Sequence, residues 1–240
     1  MKSKYAFILL LLIPFFGIGQ DITAEELLAK SIAYHDPNGQ WGKFDGAFTI
    51  TSETPKGPNR TAEVRINNAE EYFYIKSTKG EKVTEYTVEK DDCTIAFNGS
   101  SDLSEETMKE NRLSCRRGET LRNYYTYLYG LPMKLRDPGT NLAPVVTRQR
   151  YNGKLYLVMW VTYDVSVGTD VWSFYFDPET YAMELYKFYK GDPSRLGKNT
   201  GEYILLSEEE TIDGIKMPKV RKWYYNKNDK FLGTDTLTPN

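Results

Sequence analysis

The clearest constraint on this chain is a pair of aromatic strands around a tight turn. From Trp172 it reads Trp-Ser-Phe-Tyr-Phe, then Asp177-Pro178-Glu179-Thr180, then Tyr-Ala-Met-Glu-Leu-Tyr-Lys-Phe-Tyr. Side chains alternate across a strand, so Trp172, Phe174 and Phe176 share one face while Ser173 and Tyr175 take the other. Similar runs fill the chain. Phe48 and Ile50 alternate with Thr49 and Thr51, and Ala62, Val64 and Ile66 alternate with Glu63 and Arg65, which predicts strands with one wet face. Residues 72–77, 82–88 and 93–97 continue the series, giving five strands before Asn98. Strands return at 145–151, 155–163, 170–177, 181–190, 203–212, 215–225 and 230–237, with Asn152-Gly153 and Asp213-Gly214 as hairpin turns. An antiparallel sheet of about twelve strands curls or splits, which predicts a barrel-like sheet or a sandwich.

Two helical stretches interrupt the pattern. Residues 24–34 carry Leu27, Leu28 and Ile32 on one face, behind Thr23 as cap and Glu25 and Glu26 in the first turn. His35, the single histidine, then sits at the helix C-terminus before a Pro37-Asn38-Gly39 turn. In the middle, Asp102-Leu103-Ser104-Glu105 has the form of a capping box opening a short helix to about Asn111. Residues 119–131 place Leu121, Tyr124, Tyr125, Leu128 and Leu131 at helical spacing before Pro132. That tyrosine-rich helix either packs on the sheet as core or covers a pocket as a lid. Residues 191–199 read as a polar loop.

Residues 1–19 have the pattern of a secretory signal peptide: Lys2 and Lys4, an apolar run from Tyr5 to Phe16, and small residues at 17 and 19. A run of about 12 apolar residues falls short of the ~20 a spanning helix needs, so cleavage is expected rather than a retained anchor. A single β domain over residues 20–240, periplasmic or secreted and without a membrane span, is the resulting expectation. Cys93 and Cys115 are the only cysteines. Export favours a disulfide between them over two buried free thiols. Without the two leader lysines the chain has 29 basic against 33 acidic residues, a formal charge of −4, so a nucleic-acid partner is not expected.

A screen for chemistry finds no reaction motif. One histidine leaves no HExxH or histidine zinc cluster, and no serine stands in a GxSxG elbow. Gly191 to Asn199 is a poor phosphate loop, with one residue too many and Asn in place of the magnesium-binding hydroxyl. No cofactor or metal is expected. A hydrolase built on His35 and Asp36 is the weakest reading. What distinguishes the chain is its 4 Trp, 19 Tyr and 11 Phe. These rings line a concave cavity for an apolar ligand, or make an outer platform for sugars or a protein, or simply fill a core.

The order of elements, with Phe-Asp177-Pro-Glu-Thr180 in one hairpin and Asp213-Gly214-Ile-Lys-Met-Pro218 entering a late strand, resembles the periplasmic lipoprotein carriers of LolA, LolB and LppX type. Ala33-Tyr34-His35-Asp36-Pro37, Tyr124-Tyr-Thr-Tyr-Leu-Tyr-Gly-Leu-Pro132 and Tyr203-Ile-Leu-Leu further resemble an uncharacterised exported family of Bacteroidota. The first resemblance implies a mainly β (α+β) fold: one curved antiparallel half-barrel of about 11–12 strands, with an N-terminal helix and a helical insertion packed on its concave side. The expected function is non-catalytic binding or carriage of a hydrophobic or lipid-like molecule, or of a lipoprotein, by a monomer. Contacts are expected from Phe48, Ile50, Trp172, Phe174 and Phe176 on one strand face and from Tyr124, Tyr125 and Leu128 on the covering helix. Surface recognition of carbohydrate or protein is the alternative.

Overall fold

The structure, a computed structural model, describes residues 22–240; the expected signal peptide lies outside the described residues. Thirteen strands form one antiparallel sheet: β1 (Asp45–Glu53), β2 (Arg60–Asn67), β3 (Tyr72–Lys79), β4 (Lys82–Glu89), β5 (Asp92–Phe97), β6 (Thr140–Leu142), β7 (Thr147–Tyr151), β8 (Lys154–Tyr163), β9 (Val171–Phe176), β10 (Met183–Tyr189), β11 (Glu202–Ile212), β12 (Ile215–Tyr225) and β13 (Phe231–Pro239). The order across the sheet is β5-β4-β3-β2-β1-β13-β12-β11-β10-β9-β8-β6, with β7 also pairing β8. Each half is a meander of hairpins. The halves are joined where β1 meets β13, with Ile50 opposite Leu237. The curved, mainly β fold agrees with the sequence expectation, with one strand more: β6 is three residues long and has no alternation to read.

Four helices accompany the sheet: α1 (Ala24–His35), α2 (Glu105–Glu110), α3 (Cys115–Tyr129) and α4 (Pro193–Leu196). Helix α1 begins with a complete capping box, the Thr23 hydroxyl accepting from Glu26 N while the Glu26 carboxylate accepts from Thr23 N. Two boundaries differ from expectation. The cap of α2 is Ser104 rather than Asp102. Helix α3 starts four residues earlier than the spacing indicates, because Ser114 caps it and Gly118 is packed rather than a break: a β-carbon there would lie 3.0 Å from Tyr86 and 3.2 Å from Val88. The expected loop at 191–199 contains the single turn α4, capped by Asp192.

The inward faces of both halves meet α1 and α3 in one core that includes Leu27, Leu28, Phe48, Ile50, Val64, Phe73, Tyr125, Leu128, Phe174, Phe176, Tyr186 and Ile204. Burying one such side chain contributes about 1.5–3 kcal/mol. Cys93 on β5 and Cys115 at the start of α3 form a disulfide, as expected, tying the helix to the sheet edge. A second, smaller cluster of Tyr156, Val158, Tyr175, Leu185 and Tyr203 lies on the opposite face of β8–β11. The Lys187 ammonium covers it, 4.8, 5.6 and 5.3 Å from the ring centres of Tyr151, Tyr175 and Tyr203. On the β1–β4 half the alternating outward positions are instead polar, as at Thr49, Thr51, Glu63 and Arg65.

Candidate functional site

A cleft of about 860 Å³ opens between α3, the β2–β3 turn and the loop from β8 to β9. That lies within the ~300–1,000 Å³ of ordinary small-molecule sites. Arg122, Asn123, Thr126 and Tyr127 of α3 form one wall, adjacent turns of a single helical stripe. Ile66 and Tyr72 come from the N-terminal half of the sheet, Tyr163 and Trp172 from the C-terminal half.

Rings form the floor. Trp172 stands edge-on to Tyr127 at 5.5 Å, stacks on Phe174 at 5.9 Å and touches Phe188 at 5.1 Å. The hydroxyls of Tyr127 and Tyr163 hydrogen-bond each other. Burial raises the pKa of both, Tyr163 to about 12, so neither ionises near neutral pH. The rim is charged and mixed in sign: Glu71, Arg122, Lys134, Asp137 and Asp170. Lys134 and Asp137 pair with each other, and Arg122 donates to the Lys90 carbonyl at 3.3 Å. The cleft thus has an apolar floor beneath a polar rim.

The eight residues expected to touch a ligand lie on β1, β9 and α3, and they differ in access. Phe48, Ile50, Phe174, Phe176, Tyr125 and Leu128 are each at most 5 % exposed and pack together beneath α3. Trp172 is half-buried and reaches the cleft. Tyr124 is 44 % exposed and meets Tyr125 edge-on at 5.3 Å. Sequence reasoning missed Tyr127, Tyr163 and the polar Asn123 and Thr126. An apolar periodicity selects the face of α3 that enters the core, and the cleft wall is the stripe beside it.

It also missed Arg221. This side chain is 1 % exposed and points from β12 into the core. Its guanidinium lies 4.0 Å from the Tyr129 ring centre, with Nη1 donating to Pro218 O at 3.0 Å and Nη2 to Leu128 O of α3 at 3.3 Å. Nε has no hydrogen-bond partner, and no carboxylate among the described residues is within ion-pair distance. A buried ion costs several kcal/mol, which two carbonyls and one ring offset only in part.

His35 has a different occupation. It is 1 % exposed; Met183 N donates to Nε2 at 3.0 Å, which places the ring proton on Nδ1, donating to Lys216 O at 2.8 Å. Burial lowers its pKa, the bond to Lys216 opposing that. Both Asp36 oxygens accept backbone bonds, from Gln40 at 2.7 Å and Trp41 at 2.9 Å. His35 thus joins α1 to β10 and β12, while Asp36 closes the turn that follows the helix. Among the described residues no cluster of three or more His, Cys, Asp or Glu could hold a metal. No helix among them is long and apolar enough to cross a membrane.

Residues 4–240 match one family model, described as a family of unknown function, DUF6503. The chain belongs to that family. No curated protein sequence matches it. Among solved structures it is similar to a LolA superfamily protein from Nitrosomonas europaea, with a TM-score of 0.54 and 10 % identity over 90 % of this chain and 92 % of that one. A DUF1329 family protein from Desulfovibrio piger gives 0.54 and 9 % identity over 89 % and 90 %. At such identities the likeness is one of fold: this DUF6503 chain has a LolA-like fold.

Proposed function

We propose that this protein is an exported, non-catalytic carrier of a hydrophobic or lipid-like molecule, which enters through the cleft and lodges against Trp172 and the core beneath α3. The observation that carries this reading is the floor: Trp172 is at once the half-buried base of the cleft and part of a run of ring contacts leading to Phe174 and Tyr186. A ligand advancing past it replaces ring–ring contacts with contacts of similar apolar character. The aromatic strand face and the α3 residues named from the sequence then become its lining once α3 shifts. The LolA-like fold and the paired cysteines support the same assignment. The protein acts as a monomer in the periplasm or beyond.

Surface recognition through outer aromatics has less support. Tyr156, Tyr175 and Tyr203 are only 5–8 % exposed, because they and Lys187 shield one another.

The test is cleft filling. Thr126 lines the wall, so Thr126→Trp fills the opening without removing a core side chain. Uptake of a fluorescent fatty acid is expected to weaken at least tenfold, about 1.4 kcal/mol, with the unfolding midpoint little changed. Uptake as strong as in the parent would sink the cleft as the route.

A further inference from the structure

Three buried polar atoms in the core lack hydrogen-bond partners near one another: Arg221 Nε and the hydroxyls of Tyr186 and Tyr125. All three residues are 1 % exposed. They form one neighbourhood. Tyr125 stacks on Tyr129 at 6.0 Å, and the Arg221 guanidinium sits 4.0 Å from the same Tyr129 ring. Tyr186 is paired across the strands with Ile204, whose β11 neighbour Leu206 lies opposite Arg221. Burial raises the Tyr186 pKa, the Arg221 guanidinium pulls it down and the Asp235 carboxylate pushes it up, which places the phenol in the field of both charges. Buried polar groups are ordinarily satisfied, and buried charges are ordinarily paired. Here one guanidinium nitrogen and two phenol hydroxyls are left without a hydrogen-bond partner.

The neighbourhood is connected to the cleft. The Trp172 ring is 5.8 Å from Tyr186 on its inner side and 5.5 Å from Tyr127 on the cleft side. Something entering past Trp172 meets Tyr186 and then Arg221.

Resting on the carrier reading, we propose that Arg221, with the Tyr186 and Tyr125 hydroxyls, receives the compact anionic head of a single-chain amphiphile whose aliphatic tail lies back along Trp172 and Tyr127 toward the cleft. The donor set selects the charge. A guanidinium has donors only and stays protonated, so a purely aliphatic ligand leaves Nε as unsatisfied as before. A carboxylate or phosphate oxygen accepts from it and from a phenol together. The geometry selects the edge: Nε and Nη2 form the side fork of the guanidinium, and Nη2 is held only by the 3.3 Å bond to Leu128 O. Leu128 belongs to α3, the element that must move to admit a ligand, so the same movement frees both prongs of the fork. The carboxylate opposite Arg221 across the β12–β13 pair, Asp235, accepts from Trp223 Nε1 at 2.9 Å and forms no ion pair with the guanidinium.

The experiment is calorimetric titration of the delipidated protein with laurate, dodecyl phosphate and methyl laurate. Laurate or dodecyl phosphate is expected to bind at least tenfold more tightly than the neutral ester, and whichever is tighter identifies the head as carboxylate or phosphate. Arg221→Met is expected to bring that ratio close to one while leaving the ester's affinity in place. Tyr186→Phe, which removes one hydroxyl and keeps the buried ring, is expected to lower the ratio by about threefold or more. An ester bound as tightly as the anions, or a ratio that both variants keep, would overturn the headgroup site and leave the carrier standing. Failure of all three compounds to bind would overturn both.

Discussion

Replacing His35 by leucine keeps most of the side-chain volume and removes two hydrogen bonds at once, stranding Met183 N–H and Lys216 C=O in the place where α1 meets β10 and β12. Each orphaned buried group costs about 1–3 kcal/mol. The expected loss is therefore about 2–6 kcal/mol, a large share of the ~5–15 kcal/mol total of an ordinary domain. The same histidine sets a pH dependence. Its folded pKa is depressed by burial below the unfolded value of about 6.5, so the unfolded chain binds the proton first. The stability is present above pH ~6.5 and drains away as the pH falls below it. Because this is the single histidine in the chain, no other imidazole contributes to the slope. Urea unfolding of parent and His35→Leu at pH 8 and pH 5.5 reads both quantities. The variant should lose stability at pH 8 and show little further loss at pH 5.5. A variant within 1 kcal/mol of the parent at pH 8, or one that keeps the parent's pH slope, would refute the clamp.

Two other perturbations follow from how α3 is held. Changing both Cys93 and Cys115 to serine opens a loop with a sequence separation of 22 and should cost about 3 kcal/mol, read as a lower denaturant midpoint; a loss under 1 kcal/mol would mean that the unbridged chain already keeps the helix on the sheet edge. Gly118→Leu forces a side chain against Tyr86 and Val88 and should destabilise by about 1–3 kcal/mol in thermal unfolding, although leucine is the better helix former. A gain in stability would show that α3 does not lie where the packing puts it.

The β framework was legible because period-two alternation and turn residues are local signals. Trp172, Phe174 and Phe176 face inward as their spacing requires, and Asp177 closes the hairpin by accepting from the N–H groups of Glu179 and Thr180. The first turn of α1 was equally readable from Thr23 and Glu26. Where tertiary packing overrides a local rule the reading failed: Gly118 looks like a helix break, yet is the close-contact point of α3 on β4. The cleft was not legible, because its walls come from separated segments and several of its residues are polar. Arg221 was hidden for a related reason. A charged residue within a strand signals an outward face, and only the pairing of β12 with β11 and β13 turns this one into the core.

The most direct test of the carrier reading is native mass spectrometry of the protein purified from its own host, followed by solvent extraction and lipid analysis. A stoichiometric adduct is expected, released on extraction as an apolar or amphipathic molecule. A bare chain mass, together with no uptake of a fluorescent fatty acid by the purified protein, would contradict it.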